Sequence, residues 1–189
     1  MPRSAPPLIE FATTQTDFAA ILIARSHKGV CTILLGDSPT QLYADLQQRL
    51  PKAQLLEQEQ EQEQEQEQEQ EQEQEHSLAP LLKNITDFLD KPLTPLDFTL
   101  DIQGSDFQQS VWTVLRSIPV GQTLSYSEVA ERLGKPKAVR AVANACAANP
   151  LALVIPCHRI LRADGGISGY RWGVERKRAL LAKEQQAVQ

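Results

Sequence analysis

Apolar and polar positions along the chain fall into two textures. Phe18 to Ser26 and Gly29 to Leu35 are apolar, β-branched runs separated by His27-Lys28, and they predict a hairpin closing on Gly36-Asp37. Ser38 or Thr40 can then cap a helix whose Leu42, Leu46 and Leu50 share one face until Pro51 stops it. Leu81, Leu82, Ile85, Phe88 and Leu89 form a second amphipathic stripe, ended by Asp90 and Pro92. Phe98, Leu100 and Ile102 alternate with polar residues and predict a strand. From Gly104 the spacing turns helical with short joints. Ser105 is expected to cap Asp106 to Ser117, burying Phe107, Val111, Trp112 and Leu115, with Ile118-Pro119 and Gly121 breaking the helix. Ser125 or Ser127 begins a short helix over Glu128 to Leu133, closed by Gly134 and Pro136, and another runs from Lys137 to about Ala148. Two short helices across a glycine turn read as a helix-turn-helix.

Glu57 to Glu75 interrupts this pattern with an unbroken Glu-Gln alternation. It has nothing to bury and cannot repay its ordering entropy, and glutamates four apart repel one another. A disordered insertion without chemistry of its own is expected there.

The tract also distorts the charge. The 189 residues carry 19 Lys+Arg and 24 Asp+Glu, a net of −5 that argues against a nucleic-acid partner. Ten of those acids are tract glutamates, so the remainder is basic, and Gly104 to Gln189 alone has 12 Lys+Arg against 6 Asp+Glu. Hydrophobic content of 41% excludes a wholly disordered chain. Met1 to Glu10 is proline-punctuated and lacks the apolar run of a targeting segment, and Phe18 to Ala24 is far too short to span a bilayer. Cys31, Cys146 and Cys157 cannot all pair and none sits in a CxxC, so neither a disulfide framework nor a zinc site is expected, and a reducing cytoplasm is.

Three features carry candidate chemistry. The helix after Lys137 is mostly alanine around Arg140, too poor in long polar side chains for major-groove reading; one arginine on a small surface suits replacing an extruded base, or simply a salt bridge on a packed helix. Cys157 follows Pro156 and precedes His158 at the end of an apolar run. A free thiol is only a few per cent ionised at neutral pH, so a nucleophilic role needs a nearby base, and His158 is the candidate if the chain turns there. A third group must hold the imidazole; Glu184 on the C-terminal helix is one candidate and Glu175 the other. Cys31 and Cys146 read as inert packing thiols.

Ile155-Pro-Cys-His-Arg-Ile160, preceded by Asn149-Pro150 and followed by Ser168-Gly-Tyr-Arg-Trp-Gly173, resembles the active-site segment of the O6-alkylguanine-DNA alkyltransferases, and Tyr126 and Gly134 to Ala143 fit as well. From Leu96 to Glu184 the resemblance is greatest to the C-terminal domain of the bacterial adaptive-response protein. It implies an α/β plus α architecture: a ribonuclease-H-like α/β domain over 17–103, carrying the insertion at 57–75, then a helical winged-helix, helix-turn-helix domain over 104–187. It implies single-turnover repair, in which Cys157 takes the alkyl group from O6-alkylguanine, and from O4-alkylthymine, in flipped nucleotides of double-stranded DNA approached through the minor groove. By the resemblance His158 is the base acting through a water, Glu184 polarises it, Asn149 braces the turn and Tyr126 donates its hydroxyl to guanine. Arg140 fills the gap left by the flipped nucleotide, Tyr170 belongs to the loop over the base pocket, and Ala141, Ser125 and Arg159 join them in contacting DNA. A monomer without cofactor or metal is implied.

Departures matter too. Only His27 and Cys31 lie near one another where some relatives bind structural zinc, too few for a tetrahedral site. Ala152 and the bulky Arg171-Trp172 stand where roomier relatives have proline and small residues. No counterpart of the adaptive-response protein's four-cysteine phosphotriester-repair domain is seen, so its regulatory role is not expected here. Two other readings stand beside repair: a non-catalytic binder of alkylated DNA, against which the presence of Cys157 argues, and a Cys-His hydrolase that turns over.

Overall fold

A computed structural model describes residues 5–58 and 77–189. Its contacts divide the chain into two compact units, residues 1–86 with 97–101, and residues 87–96 with 102–189.

The first unit is a mixed four-stranded sheet with a helix. Strands β1 (Leu8–Gln15), β2 (Ala20–Ser26) and β3 (Gly29–Gly36) are joined by tight turns and pair antiparallel, while β4 (Gln54–Glu57) lies parallel to β1, giving the order β3-β2-β1-β4. Ala20 to Ala24 are buried along both faces of β2, as an unbroken apolar run in a central strand requires. Gly29 is at φ 147°, and a Cβ there would fall 2.5 Å from the Thr99 carbonyl oxygen, so the hairpin turn admits only glycine. Helix α1 (Pro39–Arg49) starts where the Ser38 hydroxyl accepts the Gln41 N–H and buries Leu42 and Leu46, so of the two candidate caps it is Ser38 that serves.

Three expectations change. The N-terminal domain begins before residue 17, because β1 pairs with β2 over six residues from Glu10 to Gln15. Phe98, Leu100 and Ile102 make no full strand: Phe98 is buried, but pairing is confined to one bridge from Leu100 to Val30. Alternation there records an extended chain with one inward face, and an extended chain is a strand only where a neighbour takes its backbone groups. The insertion also starts later than Glu57, which ends β4 opposite Phe11. The expectation for the rest of the tract falls on residues 59–75, outside the described residues.

Gln58 clarifies what the tract joins. Its backbone N–H donates to the Phe11 carbonyl, and its side-chain oxygen accepts the Leu78 N–H at 2.9 Å, so the chain on either side of the tract is already held together. Deletion of residues 59–75, keeping Gln58 and His76, should therefore leave the melting temperature within about 3 °C of the full chain, since loop length enters closure entropy only logarithmically. A thermal melt of the two proteins checks this.

Helix α2 (Ala79–Asp90) carries the boundary between the units, after Thr86, and buries Leu82, Ile85, Phe88 and Leu89. The second unit is helical. In α3 (Asp106–Arg116) a reciprocal Ser105/Gln108 capping box sets the start, Val111, Trp112 and Leu115 are buried, and Phe107 is only half-buried. Strand β5 (Leu124–Ser125) leads into α4 (Tyr126–Arg132), capped by Ser125 with Glu128. Gly134, at φ 67°, turns the chain through a 3-10 turn (Pro136–Ala138) into α5 (Val139–Ala147). Trp112 donates its indole N–H to the Ala145 carbonyl at 2.9 Å, tying α3 to α5. A 3-10 turn (Cys157–Arg159) precedes β6 (Ile160–Leu161), which pairs parallel with β5, and α6 (Val174–Ala187) ends the unit.

Candidate active site

The loop after α5 is folded around one side chain. Asn149, fully buried, accepts the Leu151 N–H on Oδ1 at 2.8 Å and donates from Nδ2 to the Ile155 carbonyl at 2.8 Å. These two bonds close the turn in which Leu153 takes φ 70°, a conformation rarely adopted by a branched residue, and they deliver Pro156 and Cys157 to a set position. The same Nδ2 lies 3.1 Å from the Cys157 sulfur. Cys157 opens the 3-10 turn that the Cys-His dipeptide needs if both side chains are to work at one site.

Cys157 borders a cavity of about 360 Å³ lined by Tyr126, Ala143, Cys146, Ala147, Tyr170 and Arg171, with Gly169. Small residues on α5 leave the space. Burial pushes the Cys157 thiol up to about 11, against the Asn149 hydrogen bond and the Lys177 charge, so the resting sulfur keeps its proton. Cys146 is pushed higher, to about 12, again by burial, in keeping with an inert thiol.

His158 is fully buried beside it. Its Nε2 lies 2.7 Å from Glu184 Oε1, while Nδ1 is buried without a hydrogen-bond partner among the described residues. Burial lowers the imidazole pKa despite the adjacent carboxylate, so His158 is neutral at pH 7, with Nε2–H donating to Glu184 and Nδ1 available as a base. Between the two candidate carboxylates the structure is decisive: Glu184 is fully buried against the imidazole, and Glu175 is exposed and pairs with Arg178. Burial alone would raise the Glu184 carboxyl, yet hydrogen bonds from His158 and Arg159 and the guanidinium charge bring it to about 2.

Arg159 supplies that charge. Its guanidinium donates to both Glu184 oxygens, from Nε at 2.9 and 3.2 Å and from Nη2 at 2.9 Å, and from Nη1 to the Ile118 carbonyl at 2.6 Å. A DNA contact by Arg159 is therefore overturned. An arginine one residue beyond the histidine looks like a surface cation in sequence, but the 3-10 turn carries it inward, where Glu184 needs a partner.

The other candidates divide by location. Tyr126 places its hydroxyl 2.7 Å from Ser168 Oγ at the cavity. Tyr170 lines the cavity, packs its ring T-shaped against His158 and Trp172 and buries its hydroxyl. Arg140 and Ala141 are exposed at the start of α5, and the Ser125 hydroxyl is occupied as the cap of α4. Ala152 is fully buried, and Arg171 donates to the Ala147 carbonyl at the cavity rim.

Sequence reasoning missed Lys177 and Ser168. Lys177 is completely buried, donating to the Ile160 carbonyl and to Ser168 Oγ at 3.1 Å. A signal existed: Lys177, Leu180 and Glu184 follow the i, i+3, i+7 spacing of an inward stripe, so a lysine stood where the helix pattern calls for an apolar residue. Among the described residues no group of three or more His, Cys, Asp or Glu is placed to hold a metal ion, and no helix is long and apolar enough to cross a membrane.

Comparison with known proteins converges on one family. Residues 106–186 match the model described as 6-O-methylguanine DNA methyltransferase, DNA binding domain. The chain is 44% identical over 176 residues to the Escherichia coli K12 bifunctional transcriptional activator/DNA repair enzyme Ada, covering 93% of this chain and 45% of that protein, so it spans about half that relative's length. It is 41% identical to the inducible methylated-DNA–protein-cysteine methyltransferase of Bacillus subtilis, covering 87% of this chain and 84% of the relative. In structure it resembles the Mycobacterium tuberculosis OGT in complex with DNA, at TM-score 0.72 and 27% identity over 94% of each chain, which shares the mixed sheet and helices. Since the Bacillus match runs through both units and nearly the whole of that relative, the chain belongs to the methylated-DNA–protein-cysteine methyltransferase family.

Proposed function

We propose that this protein repairs DNA by moving the alkyl group of O6-alkylguanine, and of O4-alkylthymine, onto its own Cys157, one turnover per molecule. The observation that carries the reading is a cavity lined by Cys157, whose buried sulfur is fixed by the Asn149 amide and whose chain neighbour His158 is held by the Glu184 carboxylate. The Cys157 proton leaves through a water to His158 Nδ1 as sulfur attacks the alkyl carbon, and Glu184 stabilises the imidazolium that forms. The carbon–O6 bond breaks as Tyr126 donates a hydrogen bond to the guanine, whose developing negative charge otherwise makes it a poor leaving group. Nothing in the site would hydrolyse a thioether, and the displacement balances without a cofactor or metal.

An alkylated base must leave the helix stack to enter the cavity. Arg140 and Ala141, exposed on an α5 rich in small side chains, suit close approach in the minor groove, with Arg140 filling the vacated position. Tyr126, α4, Gly134 and α5 support a helix-turn-helix within a winged-helix domain, and the order β3-β2-β1-β4 with β1 parallel to β4 supports a ribonuclease-H-like first domain. A monomer acting in the cytoplasm is the form this reading takes.

Duplex DNA bearing radiolabelled O6-methylguanine tests it. Label should pass to Cys157 up to one equivalent and stop; release of label with continued turnover would mark a hydrolase, and binding without transfer a non-catalytic binder. A second outcome concerns substrate size. With Ala152 buried within the turn, the long Arg171 side chain lining the cavity and Trp172 buried beside Tyr170, free O6-benzylguanine should react far more slowly than O6-methylguanine in duplex DNA. Comparable rates in a competition assay would contradict this.

A further inference from the structure

Lys177, Ser168 and Tyr126 form a continuous hydrogen-bonded chain that runs from the interior to the cavity, and the transfer scheme above uses only its last member. Lys177 Nζ lies 3.1 Å from Ser168 Oγ, and Ser168 Oγ lies 2.7 Å from the Tyr126 hydroxyl. We propose that Ser168 couples the buried Lys177 ammonium to Tyr126, so that the chain hands a proton to the departing guanine; this rests on the alkyl-transfer reading.

The direction of the chain follows from the hydrogens available. An ammonium has donors and no acceptor, so Lys177 occupies a lone pair of Ser168 Oγ and cannot receive from it. Ser168 has a single hydrogen, and Tyr126 is its partner toward the cavity. Once a base with a ring-nitrogen acceptor fills the cavity, the arrangement that uses every hydrogen runs Lys177 to Ser168 to Tyr126 to base. Aligned bonds of this kind polarise one another. Without Ser168 the Tyr126 hydrogen has no fixed direction.

The energetics favour the same traffic. Burial raises the Tyr126 pKa, so the phenol alone is a weaker acid than in water. Burial lowers the Lys177 pKa, which makes the ammonium a readier donor. The titratable groups facing Lys177 are the thiols of Cys157 and Cys146, and His158 also feels its charge. In the step, the sulfur–carbon bond forms and the carbon–O6 bond breaks, its electron pair passing into the guanine ring. Tyr126 gives its proton to the ring nitrogen, Ser168 gives its own to Tyr126, and Lys177 gives one to Ser168, ending neutral. The Cys157 proton has gone to His158. Exchange with solvent later returns His158 to neutral and Lys177 to its cation.

Ser168→Ala removes one oxygen and leaves Tyr126 in the cavity and Lys177 on the Ile160 carbonyl. With full-length protein saturating a duplex that carries O6-methylguanine, the first-order transfer constant should fall about 10-fold or more, the scale of losing proton assistance. DNA affinity and melting temperature should hold, and Ser168→Thr, which keeps the hydroxyl, should restore most of the rate. The deficit should shrink on O6-methyl-8-azaguanine, an electron-poor base that leaves with less help. Wild-type rates in Ser168→Ala, a Thr variant no better than Ala, or an equal deficit with both leaving bases would overturn the relay. Absence of transfer by the wild-type protein would instead overturn the repair reading, and the relay with it.

Discussion

Cys157→Ala should abolish alkyl transfer outright while leaving a folded protein that binds alkylated duplex DNA. The sulfur is the acceptor atom, and the other thiol at the cavity, Cys146, is held protonated by burial up to about 12, so it cannot stand in. The fold should survive because the loop does not depend on the thiol. Asn149 keeps its bonds to Leu151 and Ile155 when its contact to sulfur is lost, and a missing sulfur costs about 1 kcal/mol of packing. Label transfer measured beside a binding titration checks both halves. Label appearing on the Ala variant would remove Cys157 from the mechanism.

Glu184→Gln should injure stability and reactivity together. Glu184 is the charge partner of a buried guanidinium, and leaving Arg159 with a neutral amide should cost about 3 kcal/mol. Linkage gives the same scale. A carboxyl held at about 2 instead of its ordinary 4.5 contributes about 3 kcal/mol above its unfolded pKa. Because the folded value is the lower one, that contribution is complete above pH 4.5 and is lost as pH falls toward about 2. The Gln variant should therefore be less stable at neutral pH and lose less between pH 4.5 and 2, which urea titrations across that range would read. His158 adds a separate term in both proteins. Its folded pKa is lowered, so acid below its ordinary 6.5 favours the unfolded, charged imidazole. For transfer, the amide cannot stabilise the imidazolium, and the rate should drop on the order of 10²-fold or more. The acid limb of the rate profile should move to lower pH, since the carboxylate was what supported protonation of His158. An unchanged rate would take Glu184 out of the proton path.

Much of the architecture was written in local pattern. The hairpin over β2 and β3, the leucine face of α1, the stripe of α2 and the capped starts of α3 and α4 follow from side-chain period and end chemistry, which neighbours in sequence settle among themselves. Strands β1 and β4 were not legible. β1 is a mixed run beside prolines and β4 is four residues ending in the Glu-Gln tract; β1 becomes a strand because β2 lies alongside it, and β4 because β1 does. Glu57 shows the same thing from the other side: its identity says linker and its pairing with Phe11 says sheet edge.

The site divides in the same way. Sequence alone determined which atoms could react: a thiol after a proline, an imidazole beside it, a choice of two carboxylates, and a basic second half hidden under an acidic insertion. Only tertiary structure decided among them. It set Glu184 rather than Glu175 against His158, turned Arg159 from an expected DNA contact into the charge that keeps Glu184 ionised, and revealed Lys177 behind Ser168 and Tyr126. The reason is physical. Reactivity is a property of the side chain and is carried by its identity, whereas the pKa and partner of a group depend on burial and on charges brought near by residues 26 or 42 positions away along the chain.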